Sequence, residues 1–190
     1  MNGHKITNQN SLHFITPTVV GWMDIFTRKV YKDIIIDSLA YCIQTKGLSV
    51  HSYVIMSNHL HLIVSAKEGF QLSNIIRDFK KFTSKAIIKE ITQNPKESRQ
   101  VWLLTNMKYH AKFNKNNTTF QFWKRDNYPI EIVSPKWIKA RFDYIHLNPV
   151  RAGLVESPED YLYSSARDYI CLKNGLLELD MIEADYNTSV

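Results

Sequence analysis

The sequence contains few cysteines and no long hydrophobic run. Only Cys42 and Cys171 are present among the 190 residues, and they form no paired motif. This excludes a disulfide framework and a thiolate zinc cage, so a metal would need histidine, carboxylate or amide ligands. The apolar runs are short and broken by charge, which excludes a membrane span, and the N-terminus lacks the hydrophobic region of a signal peptide. We therefore expect a cytoplasmic protein.

Internal repeats are absent, and the first half contains no long polar linker. A chain of this length then predicts one globular domain over residues 1–190. The 24 lysines and arginines against 18 acidic residues give a net charge of +6. Such an excess favours an anionic partner, although an ordinary solvated surface would explain it equally well.

The spacing of the apolar residues predicts an α+β fold. Strands are predicted at 13–20, 48–55 and 59–65, and the last two form a hairpin around a Met-Ser-Asn turn. Helices are predicted over 28–46 and 72–90, where apolar residues recur with helical spacing. This order indicates a ferredoxin-like domain with helices packed on a mainly antiparallel sheet.

The second half is less regular. Residues 91–119 are polar, and we expect a mobile, irregular insertion with one helical turn at 102–108. Residues 120–133 have strand propensity. A Ser-Pro pair then begins a helix over 135–147, which the following Asn-Pro pair ends. The tail, at about 150–190, alternates turn signals with aromatic residues and is expected to wrap back over the domain.

One strand carries two histidines, in the stretch VIMSNHLHLIV. Alternate residues of a strand share a face, so His59 and His61 point the same way. Two polar rings between isoleucine and valine are costly to bury unless something satisfies them. A metal ion would satisfy both, and local hydrogen bonds of two structural histidines are the alternative.

The late helix, PKWIKARFDYIHLNP, carries Tyr144 and Asn148 four residues apart and therefore on one face. A helical tyrosine is commonly core or boundary filler. Beside two histidines, with an amide one turn away, Tyr144 becomes a candidate nucleophile.

Three segments together resemble the single-tyrosine HUH transposases, and most closely the branch of REP-associated tyrosine transposases. They are VIMSNHLHLIV, FQFWKRDNYPIEI and DYIHLNPVRAGLVESPEDYLYSSARDY, and the resemblance spans residues 13–169. It implies a ferredoxin-like domain, with the HUH motif on a central strand, that cuts and rejoins single-stranded or hairpin DNA in transposition. It also implies that Tyr144 is the nucleophile and becomes a 5′-phosphotyrosine.

The resemblance implies metal ligands as well: His59 and His61, with Asn148 as the third. Asn148 also stands at a predicted helix end, where asparagine is common as a cap. His146 lies off the face that carries Tyr144 and is predicted to be structural or to face DNA. Imidazole ligands alone favour zinc, iron or manganese, whereas the resemblance implies Mg2+ or Mn2+. Whether the protein is a monomer or a homodimer stays open.

DNA binding requires positive charge and stacking surfaces. The candidates are basic residues of the second helix, an aromatic and basic cluster, and one arginine of the late helix: Arg77, Lys81, Lys85, Lys89, Trp123, Lys124, Arg125 and Arg141. A solvated helix face and core aromatics would also explain them. Two other functions stay open, a DNA-binding protein that no longer cleaves and a metal-dependent nuclease in which water attacks.

Overall fold

The computed structural model describes residues 5–114, 119–171 and 174–182. Four strands and five helices follow one another along these ranges. They are β1 (His13–Ile15), α1 (Lys29–Thr45), β2 (Leu48–Ile55), β3 (Leu60–Ala66), α2 (Leu72–Gln93), α3 (Gln100–Ala111), β4 (Ile130–Glu131), α4 (Pro135–Arg151) and α5 (Ala166–Ile170). Within the described ranges, no helix is both long and apolar enough to cross a membrane.

The strands form one antiparallel sheet in the order β2-β3-β1-β4. With α1 between β1 and β2 and α2 before β4, this is the β-α-β-β-α-β arrangement of a ferredoxin-like fold, as the sequence predicts. His61 lies on β3, a central strand. His59 directly precedes β3 and is held in place by a β-bridge to Thr18.

The two faces of the sheet carry different cores. Alternate residues of β3 (Leu60, Leu62 and Val64) join the main core beneath α1 and α2. Ile63, between them, points to the opposite face and packs in a smaller cluster with residues of α4. Since side chains alternate along a strand, His61 lies on the α4 face with Ile63.

The prediction of an irregular insertion over 91–119 is wrong for most of its length. Helix α2 continues to Gln93, and α3 makes three turns. Leu103, Met107 and Ala111 recur every fourth residue and are buried. Three apolar residues at helical spacing outweigh the polar composition around them because they pack on the main core. Residues 115–118 of the predicted insertion lie outside the described residues.

Two predicted strands are shorter than expected. β1 ends at Ile15, because Pro17 has no N–H for the sheet, although the chain continues beside β3 with Leu60 N–H donating to the Pro17 carbonyl. Of the predicted strand over 120–133, only β4 is regular. Residues before it follow the chain after β1, through a bridge between Val19 and Trp123.

Helix α4 runs through Pro149 to Arg151 and does not stop at residue 147. A proline inside a helix removes one hydrogen bond, but Pro149 is buried, and packing keeps the last turn helical. The tail wraps back as predicted in the part that the structure describes. The Tyr163 carbonyl accepts a hydrogen bond from Ile55 N–H, and Ser165 N–H donates to the Tyr53 carbonyl, so this segment covers the β2 edge. Residues 172–173 and 183–190 of this tail lie outside the described ranges.

Candidate active site

The two imidazoles of the HUH motif converge on one point. The Nε2 atoms of His59 and His61 are 3.1 Å apart, and the ring centroids are 4.6 Å apart. Both rings are placed by the antiparallel pairing of the chain around β1 with β3. His61 is on a regular strand, whereas His59 is the last residue before it.

The other ring nitrogen of each histidine has a protein partner. His59 Nδ1 lies 2.7 Å from Asn58 Oδ1. The amide nitrogen of Asn58 already donates to the Trp22 carbonyl and to Asp24, so its oxygen accepts from His59 Nδ1–H. This leaves His59 Nε2 without a proton. His61 Nδ1 lies 3.1 Å from the Thr16 hydroxyl on the neighbouring strand.

Burial keeps both rings neutral. His61 is only 4% exposed, and burial lowers its pKa to about 3, helped by the neighbouring His59 ring and by the positive charge of Arg141. The pKa of His59 is also lowered, first by burial and then by the charge of Lys124. Neutral imidazole is the form that binds a metal ion.

The pair fits two adjacent positions around a divalent metal. Ligand atoms about 2.1 Å from a metal and at a right angle lie about 3.0 Å apart, close to the observed separation of the two Nε2 atoms. The hydrogen-bonded Nδ1 atoms are also typical of metal-binding histidines. No cluster of three or more His, Cys, Asp or Glu side chains suited to a metal occurs in the described residues. Amide, phosphate or water oxygens would therefore complete the coordination.

Helix α4 delivers Tyr144 to the same place. Its ring centroid lies 4.9 Å from that of His61 in an edge-on arrangement, and 36% of the residue is exposed. The Phe14 ring stacks on His61, with 5.3 Å between ring centroids, and meets Tyr144 edge-on, with 6.1 Å between centroids. One apolar ring therefore supports both side chains. The tyrosine and the imidazoles come from one chain. The structure thus brings together three residues that the sequence only proposed to meet.

Two other residues of α4 lie near this group. Arg141 places its guanidinium 4.7 Å from the centroid of the Phe14 ring. Asn148 is half-buried one turn after Tyr144, and its backbone carbonyl accepts from Ala152 N–H. Its role as a third ligand stays a prediction.

The aromatic and basic cluster divides between core and surface. Trp123 is 5% exposed, and its indole N–H donates to the Thr83 hydroxyl at 3.0 Å. The prediction that Trp123 contacts DNA is wrong, because a buried indole cannot stack on a base. Lys124 is half-buried near His59, and Arg125 is exposed. Whether these two bind DNA stays a prediction.

A half-buried lysine of α2 holds this segment. Lys80 Nζ donates to the Lys124 carbonyl at 2.7 Å and to Asn127 Oδ1 at 2.6 Å. Burial lowers the pKa of Lys80 to about 8. These bonds determine where the backbone of Lys124 and Arg125 lies beside the imidazoles.

The basic face of α2 is remote from the histidines. Arg77, Lys81, Lys85 and Lys89 are exposed, but α2 covers the sheet face opposite to the one that carries His61. Arg77 also pairs with Asp78 at 2.9 Å. DNA could contact these residues only if it extended around the domain, and their role stays a prediction.

His146 is structural, as one of its two predicted roles required. It is 2% exposed, and its Nε2 lies 3.1 Å from the Ser52 hydroxyl and 2.8 Å from the Ser165 hydroxyl. Burial lowers its pKa to about 3. The side chain therefore ties α4 to β2 and to the tail.

Sequence reasoning missed three residues around the site: Thr16, Trp22 and Asn58. Asn58 was interpreted only as a turn residue, although its place directly before His59 could have suggested a supporting partner. Thr16 could have been found from the strand register, since it stands opposite His61 one step beyond the Ile15–Leu62 pair. No local signal marks Trp22, whose indole lies 6.3 Å from the His59 ring.

Comparison with known proteins agrees with this architecture. Residues 12–105, which include both histidines, match the family model of IS200-like transposases. A solved REP-associated tyrosine transposase bound to a REP hairpin aligns over 97% of this chain and 96% of its own, with a TM-score of 0.63 and 17% identity. At that identity the likeness establishes the fold.

A solved transposase structure from Deinococcus radiodurans R1 covers 76% of this chain and 95% of its own at 13% identity. Its TM-score of 0.43 adds nothing to the fold assignment. No protein with a curated description matches the sequence. The matched family model, together with the ferredoxin-like fold and the paired histidines, identifies residues 12–105 as belonging to the family of IS200-like transposases, which act in DNA transposition.

Proposed function

We propose that this protein cuts and rejoins single-stranded DNA through a covalent 5′-phosphotyrosine at Tyr144. The observation that carries the proposal is the meeting of three side chains in one chain. The Nε2 atoms of His59 and His61 are 3.1 Å apart, and the Tyr144 ring is 4.9 Å from His61. A pair of nitrogen ligands beside an accessible phenol is the equipment for nucleophilic attack on a phosphodiester.

The reaction exchanges one phosphoester for another. The Tyr144 oxygen bonds to phosphorus, the bond from phosphorus to the 3′ oxygen breaks, and that oxygen leaves as a hydroxyl after taking up a proton. The phenol proton passes to solvent or to an acceptor at the site. Because the number of phosphoester bonds is unchanged, attack by a 3′ hydroxyl on the phosphotyrosine rejoins DNA without ATP.

The residues present fit a divalent metal, with His59 and His61 as ligands, and we propose Mg2+ or Mn2+ with Asn148 as a further ligand. When bound, the cation would polarise a phosphoryl oxygen and offset the repulsion between the phosphate and the incoming oxyanion. Asn58 and Thr16 orient the two rings. Phe14 and the surrounding cluster keep His61 away from water, and Arg141 adds positive charge beside the phosphate position.

The substrate class follows from the same geometry and from the fold. Lys124 and Arg141 lie beside the histidines, and the exposed Arg125 follows Lys124 in the chain, so all three could contact a DNA backbone. The structurally similar REP-associated transposase is bound to a REP hairpin, and the likeness extends over nearly the whole of both chains. We therefore propose a hairpin flanked by single-stranded DNA, and membership of the same branch.

A covalent adduct is the decisive test. The protein is incubated with Mn2+ and a pool of 3′-labelled single strands in which a fixed hairpin is flanked by randomised bases. We expect a labelled species that resists SDS, whereas 5′-labelled strands are released with a free 3′ hydroxyl. Tyr144→Phe should lose this species completely. Tyr41→Phe, which removes the hydroxyl of a more exposed tyrosine on α1, should retain it.

The other two functions give different results in the same assay. A nuclease that uses water would still cleave DNA after Tyr144→Phe and would never form the adduct. A DNA-binding protein that no longer cleaves would retain the strands without cutting them. Either result would overturn the proposed nucleophile.

A site formed within one chain also predicts that a single copy is sufficient. In the assay above, Tyr144→Phe and His61→Ala variants are mixed. If two copies shared their sites, one combination would contain an intact tyrosine and an intact histidine pair, and activity would return. We expect no recovery, because each tyrosine lies beside the imidazoles of its own chain.

A further inference from the structure

Trp22 stands at the rim of the candidate active site and has no role in the chemistry above. It is 58% exposed, although tryptophan is among the most costly side chains to leave in water. Its φ of 55° lies in the left-handed region, which a bulky residue rarely adopts, and it follows Gly21 with a φ of 63°. Exposure and an unfavourable backbone together mark a position held for a purpose other than packing.

The contacts of Trp22 tie it to the histidine pair. Its carbonyl accepts from the Asn58 side-chain amide at 3.2 Å, and the same amide group orients His59. The indole meets His59 edge-on at 6.3 Å between centroids. Lys124 Nζ lies 3.7 Å from the centroid of the indole and covers one face of it. A flat apolar surface and a cation therefore stand together beside the phosphate position.

A cavity of about 220 Å³ adjoins the same turn. It is lined by the backbone of Gly21 and by side chains that can form hydrogen bonds, including His110, Gln121 and Arg125. The His110 ring leaves no room for a side chain at Gly21, since a Cβ there would lie 2.9 Å from Nε2. Helix α3 therefore packs against the turn that holds Trp22.

We infer that Trp22 stacks on a nucleobase next to the scissile phosphate, with Lys124 on the adjoining phosphate. Unpaired bases expose their faces, and aromatic side chains beside cations are the usual way of binding single strands. The exposed face of the indole, opposite Lys124, would receive the base. The inference rests on the proposed function, which it deepens by assigning a base-binding subsite.

Binding is measured in the Tyr144→Phe background, so that cleavage does not intervene. Single strands selected by adduct formation are titrated with this protein and with forms that also carry Trp22→Ala or Trp22→Phe. We expect Trp22→Ala to weaken binding about 5- to 100-fold, in line with the loss of one base–aromatic stack, and Trp22→Phe to retain most of the affinity. Trp102→Ala, which removes a similarly exposed tryptophan on α3, should change affinity less than twofold.

A photochemical experiment locates the base directly. Strands with 5-iodouracil at single positions are irradiated with the protein, and the linked peptide is identified by mass spectrometry. We expect one position beside the cleavage site to link to Trp22. Circular dichroism and thermal unfolding establish which variants are folded. If Trp22→Ala does not fold, Trp22→Phe tests the inference in its place.

The outcomes separate this inference from the proposed function. If the adduct forms through Tyr144 while Trp22→Ala binds normally and no iodouracil links to Trp22, the subsite is wrong and the chemistry stands. If neither the unmodified protein nor any of its variants binds or cuts single strands, both the proposed function and the proposed base-binding subsite are wrong. Linkage to Trp102 alone would also overturn the inference.

Discussion

Two histidine clusters lie on the same face of the sheet and differ in one respect. His61 and His146 are both buried, and burial lowers the pKa of each to about 3. The Nε2 of His146 meets the hydroxyls of Ser52 and Ser165, which satisfy it inside the protein. The Nε2 of His61 meets that of His59, a second imidazole that competes for the same proton.

This difference separates a structural histidine from one available for chemistry. Burial and a lowered pKa are common to both clusters, so neither property identifies the functional one. The partner of the Nε2 atom identifies it. Serine hydroxyls can both donate to and accept from a ring nitrogen, whereas a cation can satisfy two facing imidazole nitrogens together. The following changes break or sharpen this contrast, from the largest expected effect to the smallest.

His61→Ala should remove the ability to bind metal and to cleave DNA. It deletes one of two nitrogen ligands, so the affinity for Mn2+ should fall by more than the roughly 10- to 100-fold typical of losing only a ligand's supporting partner. Titration calorimetry with Mn2+ measures this loss, and circular dichroism checks that the fold survives. Unchanged Mn2+ affinity in a folded variant would refute the ligand assignment.

His146→Ala should have the opposite pattern. It leaves a cavity and removes one hydrogen-bond partner from each of two buried hydroxyls, so the free energy of unfolding should fall by about 2–4 kcal/mol. Denaturant unfolding measures the change. Mn2+ affinity, measured on the folded fraction, should stay within about twofold. A large loss of Mn2+ affinity with normal stability would place His146 in the functional group.

Asn58→Ala tests the support of the pair. The change frees the His59 ring to rotate and to protonate Nε2, and Mn2+ affinity should fall about 10- to 100-fold. Asn58→Asp retains the acceptor for His59 Nδ1–H and should lose less. Equal effects of the two substitutions would indicate that the amide acts through Trp22 and Asp24, which only its nitrogen contacts.

Arg141→Gln should weaken single-strand binding several-fold and lower the salt dependence of binding by about one unit of slope, if the guanidinium contacts a phosphate. Lys85→Gln removes one charge from the basic face of α2, on the other side of the sheet, and should have a smaller effect. Binding isotherms at several salt concentrations compare them. A larger effect at Lys85 would indicate that DNA wraps around the domain.

Much of the site could be predicted from the sequence. Strand periodicity places His59 and His61 on one face, and helical spacing together with the family resemblance singles out Tyr144. Their meeting depends on packing between α4 and the sheet, which local patterns do not encode. For the same reason Trp123, taken as a surface aromatic, proved to be core. The indole is buried by α2 and Phe26, which are distant in sequence.

The supporting residues were harder to predict because their roles exist only in three dimensions. Asn58 is a residue type that is common in ordinary turns, and α3 lies in a segment of mostly polar residues. Trp22 has a left-handed backbone conformation, which the sequence alone would predict for a glycine.

The partner of His61 Nδ1 carries a consequence for metal exchange. The hydrogen bonds favour a proton on His61 Nε2 directed at His59, with Nδ1 accepting from the Thr16 hydroxyl. If Nε2 held a cation, the proton would reside on Nδ1, and the same hydroxyl could turn and accept it. A backbone carbonyl at this position would favour only one tautomer. If His61 is a metal ligand as proposed, the Thr16 hydroxyl would suit both protonation states of the ring, and the ring could bind and release an ion without leaving its place beside the strand.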